Sequence, residues 1–225
     1  MTAVAVDLPN IRSRVRGLYL VLDHRWAARW ILGDVIRQAA EFGVTVVQYR
    51  HKEGAMNEVY REALELRKIA LDSGMVFIVN DRCDVGLAVD ADGVHLGQSD
   101  LPINLARELL GPRCLIGIST HSPKEVEIAT AQGADYLGFG PIFPTTTKAN
   151  HEPVVGIESL KRVRPLTSLP LVAIGGIRHE FVPQVVGAGA DAVAVASGVL
   201  DSADPRQAIK CYMKPFQGHE RPRPE

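Results

Sequence analysis

A chain of 225 residues with 46% hydrophobic side chains is long enough for one large core and falls in the size range of single-domain α/β barrels. Its 25 basic and 26 acidic residues leave a formal net charge of −1, which excludes a global field for nucleic acid and requires any anion site to be built locally. Cys83, Cys114 and Cys211 match no metal spacing and predict reduced thiols; no apolar run reaches the roughly eighteen residues of a membrane span, and no secretory signal opens the chain, so a soluble, cytoplasmic protein is expected.

Residues 1–16 mix a brief apolar patch with Pro9, Asn10 and several arginines, and read as a loose arm. Gly17 to Leu22 is the first strand-like run, ended by Asp23-His24-Arg25; the segment carrying Trp26 and Trp30 has no assignable structure, and a helix runs from about Asp34 to Gly43. Val44 to Val47 reads as a second buried strand leading into Gln48-Tyr49-Arg50-His51-Lys52. From Asn57 to Ser73 the apolar Val59, Ala63, Leu66 and Ala70 fall at helical spacing, and Gly74 stops the helix.

Met75 to Val79 and Gly93 to Leu96 are two short buried runs that end abruptly, in Asn80-Asp81 and in Gln98-Ser99-Asp100. The segment between them is just long enough for a helical crossover, so the two strands should be parallel neighbours with both acidic ends on one rim. Leu105 to Leu110 predicts a short helix and Cys114 to Ile118 a strand ending in Ser119-Thr120-His121; Ser122-Pro123-Lys124-Glu125 then combines a Ser cap, a first-turn Pro and a Glu at the capping-box position. Tyr136 to Phe139 is a sixth strand, followed by the Pro- and Thr-rich stretch from Pro141 to Pro153 and a helix from Ile157 to Arg164; loops this long are more often functional than idle. Leu171 to Ile174 meets Gly175-Gly176, Glu180 to Val186 is helical, and Asp191 to Val195 ends at Ser197-Gly198. Asp204-Pro205 caps a last helix through Tyr212, and residues 214–225 read as a disordered tail. The pairs Ala91-Asp92, Ala134-Asp135 and Ala190-Asp191 repeat one helix-to-strand joint.

Eight alternations of strand and helix, with strands apolar almost throughout, predict a single-domain TIM (β/α)8 barrel over residues 17–213, with an open doubly wound sheet as the other architecture. In a barrel the polar residues after each strand gather on the C-terminal rim. There Asp81 and Asp100 offer hard oxygen ligands suited to Mg2+, although each Asp alone also suits a helix cap. Arg50, Lys52 and Lys148 could neutralise a polyphosphate, and Gly175-Gly176 with Ser197-Gly198 could bind a second anion through backbone N–H groups or simply make tight turns. Thr145 and Thr147 place hydroxyl donors in the long loop; His95 suits a packed core histidine as well as a substrate contact, and His121 suits a base as well as plain surface.

Taken together the stretches V-Q-Y-R-H-K, V-N-D-R, D-G-V-H-L-G-Q-S-D-L-P, G-I-S-T-H, G-A-D-Y-L-G-F-G-P-I-F-P-T-T-T-K, A-I-G-G-I and V-A-V-A-S, in this order between Gly17 and Leu200, resemble the thiamine phosphate synthase family. The resemblance implies a transferase of the TIM-barrel fold that joins hydroxymethylpyrimidine diphosphate to hydroxyethylthiazole phosphate and releases pyrophosphate by a dissociative route. It implies that Asp81 and Asp100 bind Mg2+, and that Gln48, Arg50, Lys52, Asn80 and Lys148 surround the pyrimidine diphosphate with Ser119 nearby. Catalysis would fall to Arg50, Lys52, Ser119 and Lys148, and the thiazole phosphate to Thr145, Thr147, Gly176, Ala196 and Ser197. Partners are then small molecules, with no nucleic acid, no membrane and room for a homodimer. Two departures stand out: His51 where the family often has an acidic residue, and Ala149-Asn150-His151 where one usually follows the lysine. Two other readings are a related thiazole tautomerase with His121 as base, and a barrel that binds thiazole or thiamine phosphate without turnover.

Overall fold

The strands are apolar on both faces because both faces are covered, one by helices and one by the strands opposite. In the computed structural model, which describes residues 8–145 and 153–217, they are β1 (Gly17–Asp23), β2 (Val46–Arg50), β3 (Val76–Asn80), β4 (Gly93–Leu96), β5 (Leu115–Thr120), β6 (Tyr136–Phe139), β7 (Leu171–Ala173) and β8 (Ala192–Val195). All neighbours pair in parallel, and β8 returns to β1, closing the barrel. The helices are α1 (Leu8–Ser13), α2 (Leu32–Glu41), α3 (Met56–Asp72), α4 (Cys83–Ala88), α5 (Ile103–Leu110), α6 (Pro123–Ala131), α7 (Gly156–Val163), α8 (Val182–Gly187), α9 (Ser197–Leu200) and α10 (Pro205–Met213). The closed ring excludes the open doubly wound sheet.

Two packing regions follow from the strand period of two. Outward residues such as Leu18, Leu20, Val47 and Phe77 meet the helices, with Val59, Ala63, Leu66 and Ala70 of α3 buried as their spacing predicts. Inward residues Tyr19, Val46, Val76, Ile78, Leu115, Tyr136, Val172 and Ala192 fill the barrel. Room for the large rings comes from glycine: a Cβ on Gly117 would lie 2.0 Å from the Tyr136 ring.

The arm predicted over residues 1–16 is not loose where it is described. Residues Leu8–Ser13 are helical, and Ile11 and Val15 pack into the barrel interior from its N-terminal end, so that Thr45 Oγ1 donates to the Arg14 carbonyl at 2.6 Å. Their apolar spacing is helical, but the surrounding arginines mask it. At the other end, Lys214–Phe216 forms a 3-10 turn and Phe216 packs on the core, so the barrel reaches past Met213; residues 218–225 of the predicted tail lie outside the described residues. The Trp26 segment begins with a 3-10 turn, His24–Trp26. Strand β2 starts two residues later than expected and runs through Arg50, which puts Gln48 and Arg50 on the strand itself.

The repeated Ala-Asp joint has a physical basis. Asp92, Asp135 and Asp191 each accept from the backbone N–H of the preceding strand, at Phe77, Ile116 and Leu171, all at 2.8 Å. Each is also bridged by an arginine from a preceding helix or turn, Arg67 at 3.0 Å, Arg107 at 2.6 Å and Arg164 at 2.8 Å. These contacts tie the N-terminal face, where barrels hold stability rather than chemistry. Asp135→Ala strands the Ile116 N–H and one side of Arg107, and denaturant unfolding should record a loss of about 2 kcal/mol. Glu158→Ala, which breaks an exposed pair with Lys161, should leave the midpoint in place.

Candidate active site

Period-two alternation that places Val46, Val76 and Leu115 inside the barrel places Gln48 and Arg50, Asn80, and Ser119 inside as well, one or two steps nearer the C-terminal rim. These residues line one open cavity of about 1100 Å3, together with Lys52, Asp81, Asp100, Thr145, Gly176, Ala196 and Ser197. Eleven predicted site residues thus meet in one place; the other two, Thr147 and Lys148, lie outside the described residues.

The acidic ends of β3 and β4 do face each other. Asp81 takes a left-handed backbone (φ 61°), unusual for a side chain other than glycine, and its N–H prolongs the β3 to β4 ladder by donating to the His95 carbonyl at 2.9 Å. Its carboxylate receives Lys52 Nζ at 2.5 Å and Asn80 Nδ2 at 2.7 Å. Burial raises the Asp81 pKa, Lys52 opposes that rise, and the neighbouring Asp100 carboxylate adds to it. Asp100 is held by the Gly97 N–H, which donates to Oδ2 at 2.6 Å.

Arg50 is fixed by Asp23, a buried carboxylate that also accepts from the Arg25 backbone N–H, Nε and Nη2, each at 3.1 Å. Arg50 Nε is itself buried and has no hydrogen-bond partner among the described residues, leaving a donor open. Asp23 is a residue the sequence reading passed over, because a charge closing a strand reads as a terminator. His51 turns out of line with its neighbours and meets Glu62 of α3 at 3.1 Å.

Across the barrel below these charges runs a chain of buried hydrogen bonds. Gln48 Nε2 donates to Tyr19 Oη at 2.9 Å, Tyr19 and Tyr136 hydroxyls meet at 2.9 Å, Tyr136 reaches His95 Nδ1 at 3.1 Å, and His95 Nε2 reaches Ser119 Oγ at 3.0 Å. The Gln48 amide donates into this chain, and the hydroxyls and imidazole that follow can each donate or accept. Burial drives the tyrosine pKa values upward. His95 is therefore the packed, bonded core histidine, at the cavity wall.

On the far side, Gly175 and Gly176 both take positive φ, at 88° and 62°, and a Cβ on Gly176 would sit 2.3 Å from the Pro144 carbonyl oxygen. Glycine is needed there for both reasons. The chain after β8 turns at once into α9, which brings Ala196 and Ser197 to the same wall as Thr145. Arg178, also on this wall, went unremarked in the sequence because nothing marks it out from other exposed arginines. His121 Nδ1–H donates to the Gly140 carbonyl at 2.6 Å, which fixes the ring at the cavity edge.

A closed parallel barrel with a carboxylate pair, clamped cations and a glycine-walled recess at the strand ends defines a (β/α)8-barrel enzyme of small molecules. The family model described as thiamine monophosphate synthase matches residues 18–199. A thiamine-phosphate synthase of Chloroflexus aurantiacus is 46% identical over 193 residues, covering 86% of this chain and 89% of its own. One from Aquifex aeolicus is 40% identical over 200 residues, covering 89% and 93%. Among solved structures, a thiamine phosphate pyrophosphorylase from Pyrococcus furiosus superposes with a TM-score of 0.82 at 37% identity, over 91% of this chain and 97% of that one. The chain belongs to the thiamine monophosphate synthase family, and the resemblance drawn from its motifs is borne out.

Proposed function

We propose that the chain condenses 4-amino-5-hydroxymethyl-2-methylpyrimidine diphosphate with 4-methyl-5-hydroxyethylthiazole phosphate, giving thiamine monophosphate and pyrophosphate. The observation that carries this reading is the gathering of Lys52, Asp81, Asp100 and the Asp23-clamped Arg50 on one rim, opposite the glycine wall of Gly176. The first group suits a diphosphate with its metal, and the second suits a monophosphate. Gln48, Asn80 and Ser119 line the same cavity and would contact the pyrimidine.

The donor set fits Mg2+: two facing carboxylates, oxygen only, with Asp81 held by Asn80 and Lys52. Bound there, Mg2+ would neutralise and orient the diphosphate. The reaction breaks the carbon–oxygen bond of the pyrimidine methylene, with the electron pair leaving on pyrophosphate; the thiazole nitrogen then supplies the pair for the new carbon–nitrogen bond. The residues' share is positioning and charge. Arg50, presented by Asp23 with Nε open, and Lys52 stabilise charge as it collects on the departing oxygens, a role Lys148 shares in this reading. Thr145, Thr147, Gly176, Ala196 and Ser197 hold the thiazole phosphate in line.

The assay is thiamine monophosphate formation from the two phosphorylated substrates, with Mg2+ and with chelator. Metal-dependent product is expected. No product from folded protein would overturn the synthase reading and turn attention to His121 and the tautomerase reaction. No helix of the described residues is long and apolar enough to cross a membrane, and the free, buried thiols of Cys83 and Cys114 support a cytoplasmic setting. A homodimer belongs to the same reading by resemblance to the family, and light scattering would decide it.

A further inference from the structure

Three ligand-type side chains outside the carboxylate pair converge at the rim: His24 in the turn after β1, His51 after β2, and Glu62 on α3. The two imidazoles are stacked, with ring centroids 3.5 Å apart and planes within 7°. Both direct Nδ1 to the same carboxylate: His24 lies 2.7 and 2.9 Å from the two Glu62 oxygens, and His51 lies 3.1 Å from Oε2. One ligand atom from each residue lies within 4.8 Å of the other two.

We infer that His24, His51 and Glu62 form a zinc site, separate from the oxygen-only pair Asp81 and Asp100. Two neutral imidazole nitrogens and one carboxylate oxygen are a borderline donor set that favours Zn2+ over Mg2+, and three protein ligands leave a fourth position for water. The ligating carboxylate is itself hydrogen-bonded, as metal ligands are. Tyr49 Oη donates to Glu62 Oε2 at 2.6 Å; it also lies 2.9 Å from His51 Nδ1, a contact that an ion would replace. On its other side His51 is packed against Gly54, where a Cβ would come within 2.5 Å of Nε2, so the ring is held with Nδ1 toward Glu62. The His24 side chain is 42% exposed and Glu62 24%, which gives an ion a way in.

Without an ion, one carboxylate serves two stacked rings and a phenol at once. A divalent cation relieves this crowding, because it takes the nitrogen lone pairs directly and pairs its charge with the carboxylate. It would also fasten the exits of β1 and β2 to α3, next to Asp23 and Arg50. The inference stands apart from the catalytic reading, since it requires no turnover.

Chelator-treated protein is titrated with Zn2+ against a chromophoric competitor, in saturating Mg2+ so that the aspartate pair is already served. Wild type and Asp100→Asn should each bind one tight equivalent. His24→Ala and Glu62→Gln, folded by circular dichroism, should each weaken it by about a hundredfold. Co2+ in wild type should give the visible absorption of a four-coordinate site, absent in His24→Ala. No tight equivalent in wild type, or undiminished binding in either folded variant, overturns the inference. Half-exposed His24 carries the test should Glu62→Gln fail to fold.

Discussion

Asp100→Asn should lower thiamine monophosphate formation by about 10² to 10³ at saturating substrates and Mg2+, a loss of the size seen when one preorganised electrostatic contact is removed. The substitution separates charge from structure. An asparagine oxygen can still accept from the Gly97 N–H, the contact Asp100 makes at 2.6 Å, so stability should stay within about 1 kcal/mol of wild type. Repulsion on Asp81 also falls, since Asp100 raises its pKa; a folded-state pKa raised above the unfolded value penalises the ionised form, so removing that push favours the folded protein at neutral pH. Steady-state kinetics beside thermal unfolding make the check. Wild-type turnover in Asp100→Asn would remove this carboxylate from the reaction.

Gly176→Ala should cost about a hundredfold in kcat/KM for the thiazole phosphate while leaving the KM for the pyrimidine diphosphate nearly unchanged. A Cβ here meets the Pro144 oxygen at 2.3 Å and the Phe143 oxygen at 2.8 Å, backbone atoms that cannot rotate away, on a residue already at φ 62°. The Phe143 to Thr145 stretch must shift, and the shift is local to one wall. Equal loss toward both substrates would instead mean that the two subsites are not divided as proposed.

Much of this was legible from sequence because a parallel barrel writes itself as apolar runs with polar ends. β4 and β6 lie where the runs predict them, Gly93–Leu96 and Tyr136–Phe139. Ser122 caps α6 by accepting from the Glu125 N–H, and Glu125 reaches back to the His121 N–H. Asp81 and Asp100 stood out because strand ends in a barrel share a rim, whereas Gln48, Asn80 and Ser119 entered as site residues through the family resemblance; all five line one cavity. What escaped depends on closure. Tyr19 and Tyr136 fall inside apolar strand runs, and their hydroxyls meet across 117 residues of chain only when the ring of strands is complete. Likewise His51 read as a departure from a pattern, and its partners on α3 and after β1 are set by tertiary packing alone.

The buried chain from Gln48 to Ser119 has one more consequence, which concerns where the electric field in the barrel begins and ends. Its tyrosines stay protonated because burial raises their pKa values, and its histidine has a partner on each ring nitrogen. The floor is therefore polar and holds no phenolate beneath a collar of formal charges. In the dissociative reaction proposed, a carbocation above such a floor would meet no phenolate to capture it, and the collar would supply the pull on the departing anion. Charge would separate along the barrel axis, toward solvent, which is also the direction in which the product must leave.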